Sequence, residues 1–443
     1  MQKECDELVI SCLFPPSDYV SGISVSKRII ENQKKVDVLQ ADFKSNNQEL
    51  SQLLDEFIDK RIIVDMDCEV DWSECIFKFV NNSIDLIDND YKKIYSRSWL
   101  MANHFLAIEY KISHPDVYWT CEFSDPLMYD LSNNVKNYKE MMIDNEAYID
   151  KINQKILSYN KTYNANFPQV ENNNSAYFIA EYLSYIFADK IIFTNENQRQ
   201  IMLDQFPLDI KNFILNKSEV KAHPTLDFKY YNIKKADLNL DKKSINIAYF
   251  GNEYYSKRNF ENLFYALESL NHQYKSKIQV YIFINDDKFL KRLTSTLNFK
   301  NIHILKPLDY LEFLNATTEF DVLLINDMCT QGAYDVNPYL PSKLSDYLGS
   351  QTDIWAFYEK NSTLSKANAK YKSDIQDFKS SSIQLAKILK DYGFDDNYTI
   401  EDCMYLRISS LNELLEKEYK KRLKLQKKLK SKRNLNIKNP FKK

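Results

Sequence analysis

Glycine is nearly missing. The chain has 5 Gly in 443 residues, so few positions take a left-handed backbone freely. Each glycine that is present marks a tight turn or a close approach of the backbone to something else. The glycine-rich phosphate loops go with it: neither G-x-x-x-x-G-K-[ST] nor G-x-G-x-x-G occurs, and H-E-x-x-H and G-x-S-x-G are absent too. P-loop kinases, nicotinamide dehydrogenases, zinc peptidases and α/β-hydrolases are set aside on that ground. Seven cysteines (Cys5, Cys12, Cys68, Cys75, Cys121, Cys329 and Cys403) are scattered with no C-x-x-C pair. That excludes a zinc knuckle and a dithiol redox motif, and fits reduced thiols in a cytoplasmic protein. No apolar stretch reaches the roughly 20 residues of a membrane span. The run Leu8–Phe14 is short, follows Asp6-Glu7 and lacks a small-residue cleavage site, so it reads as a strand and not as a signal peptide.

Charge is present but unevenly spread. The net charge is −3, yet residues 417–443 hold 13 Lys or Arg against the single acid Glu418, a surplus of +12. Residues 1–416 therefore carry −15. An acidic body with a basic tail suits a tail that seeks an anionic surface, and argues against nucleic acid as the partner of the body.

The chain is long enough for two domains. Its first part reads strand, loop, helix, strand: Leu8–Phe14, the turn-rich Pro15–Gly22, a helix from about Ser24 to Gln33, and Val36–Gln40. Strands at Arg61–Val64, Tyr118–Phe123 and Lys190–Thr194 continue the series, with helices at Ile179–Phe187 and Asn195–Gln205. Periodicity fades from about residue 218, and 226–243 is read as a linker. A second series then begins with Ile245–Phe250, Ile278–Ile284, Ile302–Leu305, Asp321–Ile325 and Asp353–Phe357 as strands. Helices fall near Asn259–Asn271, Lys288–Leu297, Leu308–Ala316 and Pro341–Gly349. This is the α/β class: doubly wound, parallel-sheet domains at 1–225 and 244–398, a helix at 399–418 expected to pack back on the first, and a basic tail at 419–443. Ligands in such sheets bind beyond the carboxyl ends of the strands, so a cleft between two of them is where two substrates meet.

Two segments carry the sharpest chemistry. In Asn337-Pro338-Tyr339-Leu340-Pro341-Ser342-Lys343-Leu344-Ser345-Asp346, a helix opens near Ser342. Its free N–H groups and dipole suit a diphosphate, and Asp346 lies one turn in. In Gly251-Asn252-Glu253-Tyr254-Tyr255-Ser256-Lys257-Arg258-Asn259, a turn glycine is followed by two cations. Arg258 is favoured over Lys257, because a guanidinium holds phosphate bidentately.

Together these segments resemble GT-B glycosyltransferases, especially retaining family four, where a P-S-K-x-x-E-Y-L-type segment opens the donor-site helix and a G-x(n)-K/R-N turn begins the second half. The resemblance implies two Rossmann-like domains facing a central cleft and a metal-independent hexosyl- or N-acetylhexosaminyltransferase. It implies a UDP-sugar donor with no further cofactor. Expected donor-site residues are Gly22, Gly251, Lys257, Arg258, Asn337, Pro341, Ser342, Lys343, Leu344 and Asp346, with Asp346 on the ribose. Where the family often has the first glutamate of E-x7-E, this chain has Pro338. His104 and Asp125 are expected near the reacting centre with Arg258; a lone histidine is more often a core residue, and Asp125-Pro126 is equally a turn. Asp65-Met66-Asp67 has the spacing of a metal-binding D-x-D, against which the second βα series weighs. Expected partners are the nucleotide-sugar and a glycan, polyol-phosphate polymer, protein or lipid-linked acceptor, with the tail on the inner face of a membrane. A non-catalytic GT-B-like partner subunit is the other reading.

Overall fold

The computed structural model describes residues 5–42, 48–65, 73–171, 174–252, 257–258, 260–285, 290–291, 294–295, 297, 299–394 and 420. The expected helix at 399–418, nearly all of the basic tail, Met66 and Asp67 of the D-x-D, and most of the helix near Lys288–Leu297 lie outside them.

Strands β1 (Glu7–Ile10), β2 (Val36–Ala41), β3 (Ile58–Val64), β4 (Lys93–Ser98), β5 (Tyr118–Phe123), β6 (Lys190–Phe193) and β7 (Ser218–Val220) form one sheet, ordered β3-β2-β1-β4-β5-β6-β7. Strands β8 (Ile245–Phe250), β9 (Ile278–Phe283), β10 (Ile302–Leu305), β11 (Val322–Asn326), β12 (Asp353–Tyr358) and β13 (Tyr371–Asp374) form a second, ordered β10-β9-β8-β11-β12-β13. Every pairing is parallel. Residues of β2, β8 and β11 are buried throughout, as central strands are when helices cover both faces of a sheet. The strand order reverses between β1 and β4 and again between β8 and β11, and both reversals open toward the same crevice.

The pattern of the sequence hides β4, whose Lys-Ile-Tyr-Ser-Arg-Ser reads as a polar segment. It is a central strand because its polar atoms find partners inside. Ser96 Oγ meets His104 Nδ1 and Trp119 Nε1, each at 2.9 Å, and Arg97 pairs with Glu122. Burial of polar groups is tolerated when their hydrogen bonds are made.

The lobes meet on two sides. At the rear, helices Val20–Asn32 and Gln48–Leu54 face helices Tyr310–Glu319 and Lys343–Ser350, sharing one apolar cluster. The linker is not loose: Tyr230 and Tyr231 are buried, and Tyr231 donates to the main-chain oxygen of Asp346 at 2.6 Å. At the front, Met328, Tyr334 and Tyr339 pack on Tyr129, Leu131 and Ile201. Among the described residues no helix is long and apolar enough to cross a membrane.

Gly22 corrects an expectation. Helix Val20–Asn32 begins before it, not at Ser24, so Gly22 lies in the first turn and not in a ligand loop. A Cβ there would stand 1.8 Å from the Leu13 carbonyl oxygen. The close approach this glycine permits is of helix to chain. Gly22→Ala is expected to lower unfolding stability by about 3 kcal/mol or more, the upper end of overpacking costs; an unchanged urea midpoint would refute this packing.

Candidate active site

Between the lobes lies a cavity of about 1790 Å³. Its wall on the second lobe is made by the ends of β8 and β11 and by the chain entering helix Lys343–Ser350. Gly251 (φ +150°) turns the chain out of β8, with its N–H bound to the Phe283 carbonyl. Gly251, Arg258, Pro341, Ser342 and Lys343 all line this wall, beside Asn252, Asn285 and Asn326. Burial lowers the pKa of Lys343; Asp346 opposes that shift, and Arg258 and Lys27 add to it. Two cations in one crevice, next to a helix start with its positive dipole end, make a surface that favours an anion.

The opposite wall comes from the first lobe. Arg97 and Asp125 stand at the carboxyl ends of β4 and β5 and both line the cavity. Glu122 lies beneath, fully buried between Arg28 (2.9 Å), Arg97 (3.1 Å) and the Tyr95 hydroxyl (2.9 Å). Burial alone would raise its pKa, but the two guanidiniums outweigh that and hold it below the usual carboxylate range. Asp125 is raised by withdrawal from water, against the pull of Arg97, Lys136 and Arg258. His223, at the start of the crossing between lobes, also lines the cavity; its buried Nδ1 has no hydrogen-bond partner. Burial, with Arg97, Lys27 and Arg28 nearby, keeps that imidazole neutral.

Six of the residues expected at the site do not line the cavity. His104 is fully buried between Trp119 and Phe123, and burial, then Arg97, pushes its pKa down to about 3. It braces the core and does not line the cavity. Asp346 is turned into the lobe junction: its Oδ1 accepts from Lys27 Nζ at 2.7 Å and Tyr310 OH at 2.9 Å. That replaces the expected ribose contact with a clamp across the lobes. Asn337 donates to the Met328 carbonyl and to Glu359, bracing its own loop. Leu344 belongs to the apolar cluster, Lys257 offers its carbonyl to the Cys329 N–H, and Gly22 packs on Leu13. Of the D-x-D, Asp65 is exposed just past β3. Among the described residues no group of three or more His, Cys, Asp or Glu is placed to hold a metal ion.

Arg97 and His223 were missed by sequence reasoning. Arg97 sits in a strand whose pattern does not announce one. His223 falls where the periodicity fades, and its only local signal is the following Pro224.

No protein-family model matches the chain, and no curated protein matches it. Solved structures do match in fold. An E. coli structure described as trehalose-6-phosphate with UDP-2-fluoro glucose bound superposes with TM-score 0.52 at 12% identity, over 94% of this chain and 95% of that one. A glycosyltransferase from Rickettsia africae gives 0.51 at 11% identity, over 94% and 97%. A trehalose-6-phosphate synthase, OtsA, gives 0.50 at 12% identity, over 93% and 94%. The chain has the GT-B fold: two parallel-sheet Rossmann-like lobes with the cavity between them.

The turn carrying Asp125 is held from behind. Glu181, buried on helix Ala176–Phe187, accepts from the Leu127 and Met128 N–H groups at 3.0 and 3.1 Å and from the Tyr185 hydroxyl at 3.0 Å. Burial pushes its pKa up to about 7 from 4.5, against those hydrogen bonds. The folded chain therefore keeps a proton that the unfolded chain releases, and ionising Glu181 is penalised only in the fold. Stability is expected to decline as pH rises from about 4.5 to about 7. Glu181→Gln should flatten that part of the profile in urea titrations at several pH values; an unaltered slope would show that Glu181 is not its source.

Proposed function

We propose that the protein is a glycosyltransferase that uses a UDP-sugar, with the diphosphate on the second lobe and the acceptor on the first. The observation that carries this is that Arg258, Lys343 and the start of helix Lys343–Ser350 line one interlobe cavity. The GT-B fold and the UDP-2-fluoro glucose bound in one structural neighbour support the choice of ligand. In the transfer, the bond from the anomeric carbon to the diphosphate oxygen breaks. A bond to the acceptor hydroxyl forms, and that hydroxyl loses its proton. Negative charge builds on the departing UDP, where Arg258, Lys343 and the helix N–H groups stabilise it without calling on a metal ion. Asp125, with its raised pKa, orients the acceptor hydroxyl and takes up its proton. The lobes, joined at the rear and at the front seam, hold the two partners facing each other in the crevice. Retention at the anomeric carbon is what the family-four resemblance implies, and NMR of the product reads it. The donor sugar is read as a hexose or an N-acetylhexosamine, and the acceptor as a cell-surface polymer.

UDP is expected to raise the melting temperature, and the cognate UDP-sugar to be slowly hydrolysed. Arg258→Ala should cut that turnover by about 10²-fold or more, and Lys343→Ala should weaken UDP binding in calorimetry. Binding without turnover of any nucleotide-sugar would instead identify a non-catalytic subunit, and absence of UDP binding would overturn the reading.

The basic tail is proposed as a foothold on anionic lipid, at about 1 kcal/mol per basic residue near the surface. Deleting residues 419–443 is expected to release the protein from phosphatidylglycerol vesicles in sedimentation, while leaving UDP binding intact.

A further inference from the structure

The two walls of the cavity differ in kind. Among the described residues, the second-lobe wall has Arg258 and Lys343 and no acid. The first-lobe wall has Asp18, Asp125, Asp130 and Glu140 against Arg97 and Lys136, and Arg97 is already engaged by Glu122. A phosphate-bearing chain entering along this wall meets a surplus of like charge.

Aromatic side chains mark the same wall. Of six exposed aromatic residues among those described, Tyr19, Trp99 and Tyr138 line this one cavity. Tyr19 and Trp99 are 51% and 49% exposed, and their rings lie 5.7 Å apart at 35°. They come from the segments following β1 and β4, paired neighbours at the switch point of the first sheet. Large half-bare aromatic faces at the rim of a cavity are a binding surface before they are anything else. Tyr138 adds a ring set edge-on to Tyr177 at 6.1 Å, and Lys136 Nζ lies over Tyr177 at 4.9 Å.

We propose that this wall is a subsite for a neutral saccharide, the terminal ring of the acceptor lying against Trp99 and Tyr19 and its hydroxyls facing the carboxylates. A pyranose ring offers a face of C–H groups with slight positive charge, which matches the negative face of an aromatic ring. Its hydroxyls donate to carboxylates that repel phosphate. The subsite rests on the donor reading above, and narrows the acceptor from any surface polymer to an uncharged sugar end.

Trp99 supplies its own reporter. The chain has 4 Trp, and of these Trp119 and Trp355 are fully buried. The full-length protein is titrated with maltotriose, cellotriose and triacetylchitotriose, and in parallel with a short glycerol-phosphate oligomer, each with and without UDP. Tryptophan emission and melting temperature are followed. At least one neutral saccharide is expected to shift both readouts, and the emission change should vanish in Trp99→Phe. Trp99→Ala and Tyr19→Ala should each weaken saccharide binding about 10-fold while the UDP-induced rise in melting temperature persists; half-exposed positions tolerate such truncation. The proposal is overturned if no neutral saccharide binds, if the glycerol-phosphate oligomer binds better, or if both alanine variants bind saccharide as the wild type does. Loss of the UDP response in the wild type would instead sink the donor reading, and the titrations without UDP still decide the subsite.

Discussion

Lys27 leaves helix Val20–Asn32 of the first lobe and ends on Asp346 of the second, 2.7 Å from its carboxylate and 2.6 Å from the Ser345 hydroxyl. The pair is buried on both sides. A lysine so enclosed has its pKa lowered by lost solvation, and only Asp346 opposes that shift. Such a pair adds little net stability compared with apolar residues of the same shape, but removing one partner leaves a bare charge and costs about 3–5 kcal/mol. Its effect is therefore on arrangement. With Tyr310 and Tyr231 closing around Asp346, it sets helix Lys343–Ser350 against the first lobe, so that the start of that helix looks into the crevice. The cation wall and the acid-and-aromatic wall face each other because this contact holds the lobes in register.

What could be read from the sequence was local. The strand runs of β8 and β11, the glycine turn after β8, and the Pro-Ser-Lys entry to a helix each depend on residues a few positions apart, and all fall where their patterns put them. What could not be read was the identity of distant partners. An acid in the first turn of a helix looks the same whether it meets a ribose or a lysine 319 residues away. His104 drew notice because histidine is rare here, yet helix Ala102–Ser113 turns it onto Ser96 and the core. Arg97 was hidden because β4 violates the apolar pattern, and the compensating Glu122 comes from another strand. The limits follow the physics: periodicity encodes which face is buried, but not which of two buried surfaces a polar group will find.

The cavity is divided by chemistry as well as by lobe. One side concentrates positive charge where a diphosphate is proposed to depart. The other raises the pKa of Asp125 by burial while keeping it within the field of Arg97, Lys136 and Arg258. Arg258 is among the cations that oppose the upward shift of Asp125, so charges on the two walls act on each other across the gap.

The front seam has a further property. Asn195 donates to the carbonyl of Pro338, Asn197 to those of Asn337 and Asn361, and Tyr334 to that of Asp130. In each case a side chain on one lobe grips main chain on the other. A carbonyl is supplied by any residue, so Pro338 and Asn361 are gripped through groups that do not depend on their own side chains, while Met328, Tyr334 and Tyr339 hold the same seam by packing. The polar part of the joint is thus indifferent to which residue supplies each gripped carbonyl, which leaves those positions open to change while the two halves stay joined.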